Sequence, residues 1–293
     1  MTGDIRCSTT FRAFAEASPG PAWRDHVRRH WPRLRATAAD HPDAQTWRTT
    51  VLSLTSSPLA HLAADLAEAA GLPDPDLPAF LTHVNPPAPV VSGAQGTGGA
   101  SLIRNLDIDV NQHESTLWLS KLGTRRVLGT TSGLWGLLDG MNEDGLAVSL
   151  TSGGDHRHTE GLSGPLLVRH LLEHCTTVAA VDEVLACWPT ASTHDLTVID
   201  ATGARAGYRL TPGEPTQRGR TRHWPEVSEA IAAMLTRPRH RTGYTTGAGT
   251  LHTAVYHPAE GELTLIWPDG VRTWSFTNFT PAQRLLEYPA TPA

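Results

Sequence analysis

Lysine occurs once in the 293 residues, at Lys121, and cysteine three times, at Cys7, Cys175 and Cys187. Scattered cysteines of odd number, with no C-x-x-C pair, argue against a disulfide framework or a cysteine-based zinc site and fit reduced thiols. Positive charge is not in excess: 24 Lys+Arg against 29 Asp+Glu leave a formal net charge of −5, which speaks against a nucleic-acid binder. No apolar run approaches the roughly 18 residues that a membrane-spanning helix needs. The opening MTGDIRCSTTFRAF has no charged start followed by an apolar stretch of about 7 residues, so no signal peptide is expected and the cytoplasm is the expected compartment. Scarce lysine beside abundant arginine, alanine, glycine and proline suggests a GC-rich genome, which concerns coding bias rather than function.

Absent motifs narrow the chemistry further. There is no G-x-x-x-x-G-K-[ST] loop, no H-E-x-x-H and no G-x-S-x-G elbow, and Gly96-x-Gly98 does not continue as G-x-G-x-x-G. Two histidine pairs have metal-like spacing, His156-x-His158 in a loop and His170 with His174 one helical turn apart. Among 15 histidines such pairs arise by chance, and no carboxylate or cysteine pattern completes either one, so neither a metal nor a cofactor is called for. Asp107 and Asp109 alternate along a presumed strand and share a face, as an acid/base carboxylate pair would, but such a pair is more often one functional and one solvated residue. Asn278-Phe-Thr280 is a formal glycosylation acceptor, and with no secretory signal expected it carries no weight.

The length suits one large domain or two small ones. Ala22 to Ala39 reads as a helix, with Trp23, Val27, Trp31 and Leu34 at three- to four-residue spacing and Pro32 expected to kink or end it. Ser57-Pro58 opens a second helix as N-cap and first helical residue, Leu59, Leu62, Leu66 and Ala69 line one face, and Gly71 closes it. Six prolines between Pro73 and Pro89 read as an irregular link, so the chain to this point is mainly helical. From Val90 the pattern changes to a hairpin around Gly98-Gly99, then to strands at Thr116–Leu122, Arg126–Thr131 and Gly145–Thr151. Helices at Pro165–His174 and Val178–Trp188 follow, then two strands around Ala201-Thr202-Gly203 and two more, HTAVYH and ELTLIW. Strands, two helices and strands again indicate an α+β protein of layered sheets rather than a doubly wound parallel sheet.

Four blocks carry a family resemblance: the helical start ending AAGLPDPDL; the hairpin ending Arg104-Asn105-Leu106-Asp107; the run Asp139-Gly-Met-Asn142-Glu-Asp-Gly145-Leu146; and LLVRHLLEHCTTVAAVDEVL followed by Asp200-Ala-Thr-Gly203. In order and spacing the chain resembles the N-terminal nucleophile hydrolases of the isopenicillin N acyltransferase and choloylglycine hydrolase type. The resemblance implies a four-layer αββα sandwich of two antiparallel sheets, with residues 1–89 as a helical leader packed on a 90–293 core. It also implies an autocatalytic cut that exposes a nucleophile whose own α-amine serves as base. Arg104 and Asp107 would flank that nucleophile with Asn105 between them, and Thr151 or Ser152 would help hold the oxyanion.

Where this family has a cysteine, near Val90 to Ser92, the chain has none, and Ser92 is the nearest substitute. Two readings of Ser92 stay open, a hydroxyl nucleophile or a serine in a Gly-rich turn. Cys7, in Cys7-Ser-Thr-Thr-Phe, imitates the nucleophile sequence, yet no Arg-Asn-x-Asp follows it at hairpin distance, and an N-terminal strand residue is the plainer reading. The family's downstream His-Thr-Asn-His-like run corresponds to Arg220-Thr221-Arg222-His223, which puts Arg222 where an oxyanion-binding Asn is expected. There Arg222 would meet an oxyanion or a carboxylate, or stand as a loop charge. Asn142 and His223 are the further substrate-side candidates, and Trp118, Trp135 and Trp224 are candidate aromatic walls.

The expectation is thus a small-molecule N-acyltransferase or amidohydrolase of bacterial specialised metabolism, acting on an amide or thioester. An acyl-CoA or carrier-protein thioester is a candidate donor, with no nucleic-acid or membrane partner, and self-association is left open. The alternatives are an uncut chain that uses Asp107 and Arg104 for noncovalent acid/base chemistry such as cyclisation or elimination, and a binding pseudoenzyme.

Overall fold

The structure, a computed structural model, describes residues 7–39, 58–83, 92–154, 162–247 and 249–289. Ser57, Val90, Val91 and the pair His156 and His158 lie outside the described residues. Two sheets face each other. The larger has nine strands in the order β10-β9-β8-β7-β6-β5-β4-β1-β15: β1 (Cys7–Ala15), β4 (Thr116–Ser120), β5 (Val127–Ser132), β6 (Gly136–Asn142), β7 (Leu146–Ser152), β8 (His194–Asp200), β9 (Arg205–Leu210), β10 (Gln217–Gly219) and β15 (Ala282–Tyr288). The smaller has six, β11-β2-β3-β12-β13-β14: β2 (Gln95–Gly98), β3 (Ser101–Ile108), β11 (His223–Trp224), β12 (Gly249–His257), β13 (Glu262–Trp267) and β14 (Gly270–Ser275). Helices α4 (Gly164–His174) and α5 (Val178–Cys187) cover the large sheet on β5 to β8, while α6 (Val227–Met234) covers the small sheet on β2, β3, β11 and β12. Strands β2 and β3 meet β7 and β8 across the middle. The expected α+β sandwich is therefore present, with one refinement. Each sheet contains one parallel pair, β1 with β4 and β11 with β2.

The helices outside the sandwich start where their sequences say they should. Ser163 caps α4 by accepting from the Leu166 N–H, and Thr177 caps α5 by accepting from the Ala180 N–H, so both orphaned helix starts are satisfied. The middle interface is packed from both sides by apolar residues such as Leu106, Leu128, Leu138 and Leu150, all essentially buried.

The first part of the chain departs from the helical expectation in three places. β1 is a full strand of the large sheet, with Phe11, Ala13 and Phe14 buried, and it pairs with β15 on one side and β4 on the other. Helix α1 (Pro21–Ala39) runs through Pro32, which sits on the exposed side, so the carbonyl that loses its donor faces water while Trp31 and Leu34 stay buried. In the proline-rich link, Leu77, Phe80 and Leu81 recur at helical spacing and are buried, and they make a third short helix, α3 (Leu77–His83), after α2 (Pro58–Ala70). Pro78 fits there because the first turn has no use for its missing N–H.

Tryptophans join these helices to the sandwich. Trp23 stacks on Trp118 of β4 at 5.2 Å between centroids, and its indole N–H donates to the Leu66 carbonyl in α2. His26 of α1 is buried with Nε2 3.1 Å from the Leu134 carbonyl and 3.4 Å from Glu114 Oε2, while Glu114 accepts the Leu134 N–H at 2.9 Å. Leu134 has φ +74°, a strained conformation for a branched side chain that these bonds hold in place.

Candidate functional site

The hairpin of β2 and β3 carries most of the residues singled out in the sequence. Just ahead of β2, Ser92 pairs with Asp107: the Ser92 N–H donates to the Asp107 carbonyl at 3.1 Å and the Asp107 N–H donates back at 3.0 Å. Ser92 Oγ lies 3.5 Å from that same carbonyl. Gly93, with φ +136°, makes this close pairing feasible, since a Cβ there would fall 1.9 Å from the Asn105 carbonyl oxygen.

Asp107 is buried. Its Oδ1 accepts from Thr250 Oγ1 at 2.7 Å and its Oδ2 lies 3.1 Å from Arg241 Nε. Burial pushes the carboxyl above the ordinary carboxylate range, against the opposing pull of the Thr250 hydrogen bond and the charges of Arg241, Arg104 and His240. Asn105, on the same face, spends its amide on the Met234 and Arg239 carbonyls at 2.8 and 3.0 Å and accepts from Thr253 at 2.7 Å. Asn105 therefore fixes the turn after α6, the turn that carries Arg241 onto Asp107.

Arg104 stands an odd number of residues from Asp107 and so points to the other face of β3, into the space between the sheets. Its Nη1 donates to Asp139 Oδ2 of β6 at 2.7 Å and to the Leu138 carbonyl at 3.3 Å, and both side chains of the pair are fully buried. Asp139 Oδ1 accepts from Thr130 at 2.6 Å and from Tyr256. Arg104 Nε and Nη2 have no hydrogen-bond partner among the described residues, nor do Nε2 of His113 and Nε2 of His252. Burial holds His113 and His252 down to about 3, so this interior is built around neutral imidazoles.

The register that opposes Gln95 to Arg104 puts Gln95 on the same inner face. Gln95 Nε2 donates to Thr151 Oγ1 at 3.2 Å and to the Asp195 carbonyl at 3.3 Å, while Oε1 accepts from Ser149 at 2.9 Å. Thr151 and Ser152 thus end β7 beside β2, with Ser152 Oγ 3.4 Å from the Gly154 N–H. Sequence reasoning passed over Gln95. Its position opposite Arg104 in the hairpin was the one available signal.

His223 and Arg222 lie at the margin, where β11 runs parallel to β2. His223 Nδ1 is 3.0 Å from Thr97 Oγ1, and the Arg222 carbonyl accepts the Thr97 N–H at 2.8 Å. A cleft of about 380 Å³ opens here between β2, β8, β9 and the 217–222 segment, lined among others by Gln95, Asp195, Thr197, Arg209, Arg220 and Arg222.

Two candidates stand apart from this region. Trp135 is fully buried, with its indole N–H on the Leu81 carbonyl at 2.8 Å, and it joins α3 to the sandwich. Asn142 is also buried: its amide donates to the carbonyls of Leu172 and Cys175 at 2.8 and 2.7 Å, and its oxygen accepts from Asp144 and Leu146 N–H groups. It ties the β6–β7 turn to the end of α4. Among the described residues, no three His, Cys, Asp or Glu side chains converge as metal ligands, and no helix is long and apolar enough to cross a membrane. His170 and His174 face each other at 4.4 Å between ring centroids, and His170 also packs on Trp188.

Residues 94–232 match the acyl-coenzyme A:6-aminopenicillanic acid acyl-transferase family. No curated protein matches the sequence significantly. Among solved structures, a mutant conjugated bile acid hydrolase from Clostridium perfringens aligns at 13% identity and TM-score 0.41, covering 65% of this chain and 94% of its own. Penicillin V acylase from Agrobacterium tumefaciens aligns at 15% identity and TM-score 0.38, covering 64% of this chain and 76% of its own.

Proposed function

We propose, taking the acyl-transferase family match as premise, that this chain is an enzyme of acyl transfer on a small-molecule amide or thioester, with Ser92 as nucleophile. It would serve as an N-acyltransferase or amidohydrolase of specialised metabolism in a bacterial cytoplasm, with an acyl-CoA or carrier-protein thioester as candidate donor. The observation that carries the reading is the setting of Ser92. It stands two residues before the matched region, at the head of the first hairpin, with its N–H already held on the Asp107 carbonyl at 3.1 Å.

A cut before Ser92 turns that N–H into an α-amine, whose ordinary pKa of about 8 leaves a usable fraction neutral near pH 7. The neutral amine takes the Oγ proton as Oγ bonds to the acyl carbon. The carbonyl π pair moves to oxygen, where a hydroxyl donor, the role assigned to Thr151 or Ser152, would stabilise it. Collapse re-forms the carbonyl and breaks the C–N or C–S bond, and the leaving group takes the proton from the ammonium. Water or a second amine then attacks the seryl ester by the same steps, which gives hydrolysis or transfer. A hydroxyl is a weaker nucleophile than the family's thiol, so the base matters more here. In this reading Arg104 holds β3 to β6 through Asp139, and Asp107 with Arg241 fixes the strand end opposite Ser92.

Intact mass under denaturing conditions tests the proposal. Two fragments divided before Ser92, with Ser92→Ala remaining whole and losing turnover of an acyl substrate, are expected. A single full-length species with unchanged turnover in Ser92→Ala overturns it. One observation favours a second reading, an uncut chain using Asp107 as acid/base: its buried carboxyl is shifted toward the proton-holding range. Activity lost in Asp107→Asn but kept in Ser92→Ala would select it.

A further inference from the structure

We infer that the cleft beside β2 is a subsite for an anionic group on the ligand, a carboxylate or a phosphate monoester. Four arginines are among its lining residues, Arg209, Arg218, Arg220 and Arg222. Two are already neutralised: Arg209 pairs with Asp195 at 2.8 Å, and Arg218 pairs with Asp182 at 3.0 Å. Arg220 and Arg222 have no carboxylate partner among the described residues; the Arg222 guanidinium lies 5.9 Å over the Trp224 ring. Two like charges thus line one concave site whose carboxylate, Asp195, is already paired with Arg209, and no further counter-charge lines it among the described residues, which is the condition for capturing an anion by forked N–H donors. The floor is narrow and polar. Thr197 Oγ1 stands 3.4 Å from Thr221 Oγ1, and a Cβ on Gly207 would meet the Arg220 carbonyl at 3.2 Å.

The cleft also has a fixed relation to the chemistry. Gln95 lines it and touches Thr151, and it follows Ser92 by three residues of extended chain, about 10 Å. The role of the subsite in turnover rests on the acyl-transfer reading; its affinity for an anion does not. If both hold, the substrate carries its negative charge on the side of the scissile bond that faces Gln95 and the 217–222 segment.

Calorimetric titration of the full chain at low ionic strength with phenyl phosphate and, separately, phenylacetate tests this. At least one anion should bind, weaken with added salt, and bind about tenfold or more weakly to Arg220→Gln/Arg222→Gln. Arg28→Gln, on the exposed side of α1, should bind like the parent. A stronger response to phenyl phosphate assigns a phosphate, and a stronger response to phenylacetate a carboxylate. Both arginines are exposed, so the variant should keep the parent's melting temperature; the single variants Arg220→Gln and Arg222→Gln provide the same test if it does not. Failure of both anions to bind, or unchanged affinity in the arginine variants, overturns the inference. Ser92→Ala should bind the anion normally, so loss of the covalent reading leaves this result intact and the converse is equally visible.

Discussion

Replacing Arg104 by methionine should cost this protein about 3 kcal/mol of stability. The side chain is fully buried and donates at 2.7 Å to Asp139, so its loss strands a carboxylate between two sheets with only Thr130 and Tyr256 to solvate it. Breaking a buried pair from one side typically costs about 3–5 kcal/mol. The lower end applies here, because Arg104 itself buries Nε and Nη2 without partners, and that penalty disappears with the residue. Asp139→Asn keeps acceptors for Thr130 and Tyr256 but strands the guanidinium, and should cost a similar amount. The double variant Arg104→Met/Asp139→Asn removes both charges, so it should be less destabilised than the sum of the singles by about 2 kcal/mol or more. Urea unfolding followed by tryptophan fluorescence measures all three, since Trp23, Trp118, Trp135 and Trp274 are buried reporters. A cost below about 1 kcal/mol for Arg104→Met, or strict additivity in the double variant, would refute the reasoning.

Asp107 should make stability fall as the solution becomes less acidic. Its folded carboxyl is raised by burial above the unfolded value, so its contribution is full below about pH 4 and is lost as pH rises through the folded pKa. The stability difference between the parent and Asp107→Asn should therefore shrink or reverse between pH 4 and 7, and a pH-independent difference would contradict the shift. His113 and His252 act in the opposite sense. Burial lowers both to about 3, so the stability gained by keeping them neutral is complete above pH 6.5 and drains away as pH falls toward 3. His252→Gln should flatten the acid limb of the stability profile measured by urea titration; an unchanged limb counts against it. Asn142→Ala removes four hydrogen bonds, two within the β6–β7 turn and two to the end of α4, and should lower stability by about 3 kcal/mol in the same assay.

Periodicity made the regular elements legible. The hairpin around Gly98-Gly99, helices α2, α4 and α5, and strands β8, β9, β12 and β13 follow from turn residues and apolar spacing, which are local signals. β6 was hidden because every residue of Gly136–Asn142 is buried, so no alternation marks it. β14 and β15 do alternate, but they lie at sheet edges where their patterns are short, and β1 has its meaning only through partners more than 100 residues away. The site was legible only in part for the same reason. Ser92 and Asp107 are joined by a hairpin register that the sequence spacing contains. The commitment of Arg104 to Asp139, of Asn105 to the turn after α6 and of Gln95 to Thr151 depends on which faces two sheets present to each other, and no local pattern encodes that.

β1 sits with β4 on one side and β15 on the other, and this decides what a cut before Ser92 would produce. The upstream piece would hold two hydrogen-bonded edges of the large sheet together, so it could leave only by exposing both at once. A cleaved chain is then two polypeptides with one cooperative fold. Its unfolding changes from a first-order event to a dissociation, and the melting temperature should rise with protein concentration, whereas the uncut chain melts at a fixed temperature.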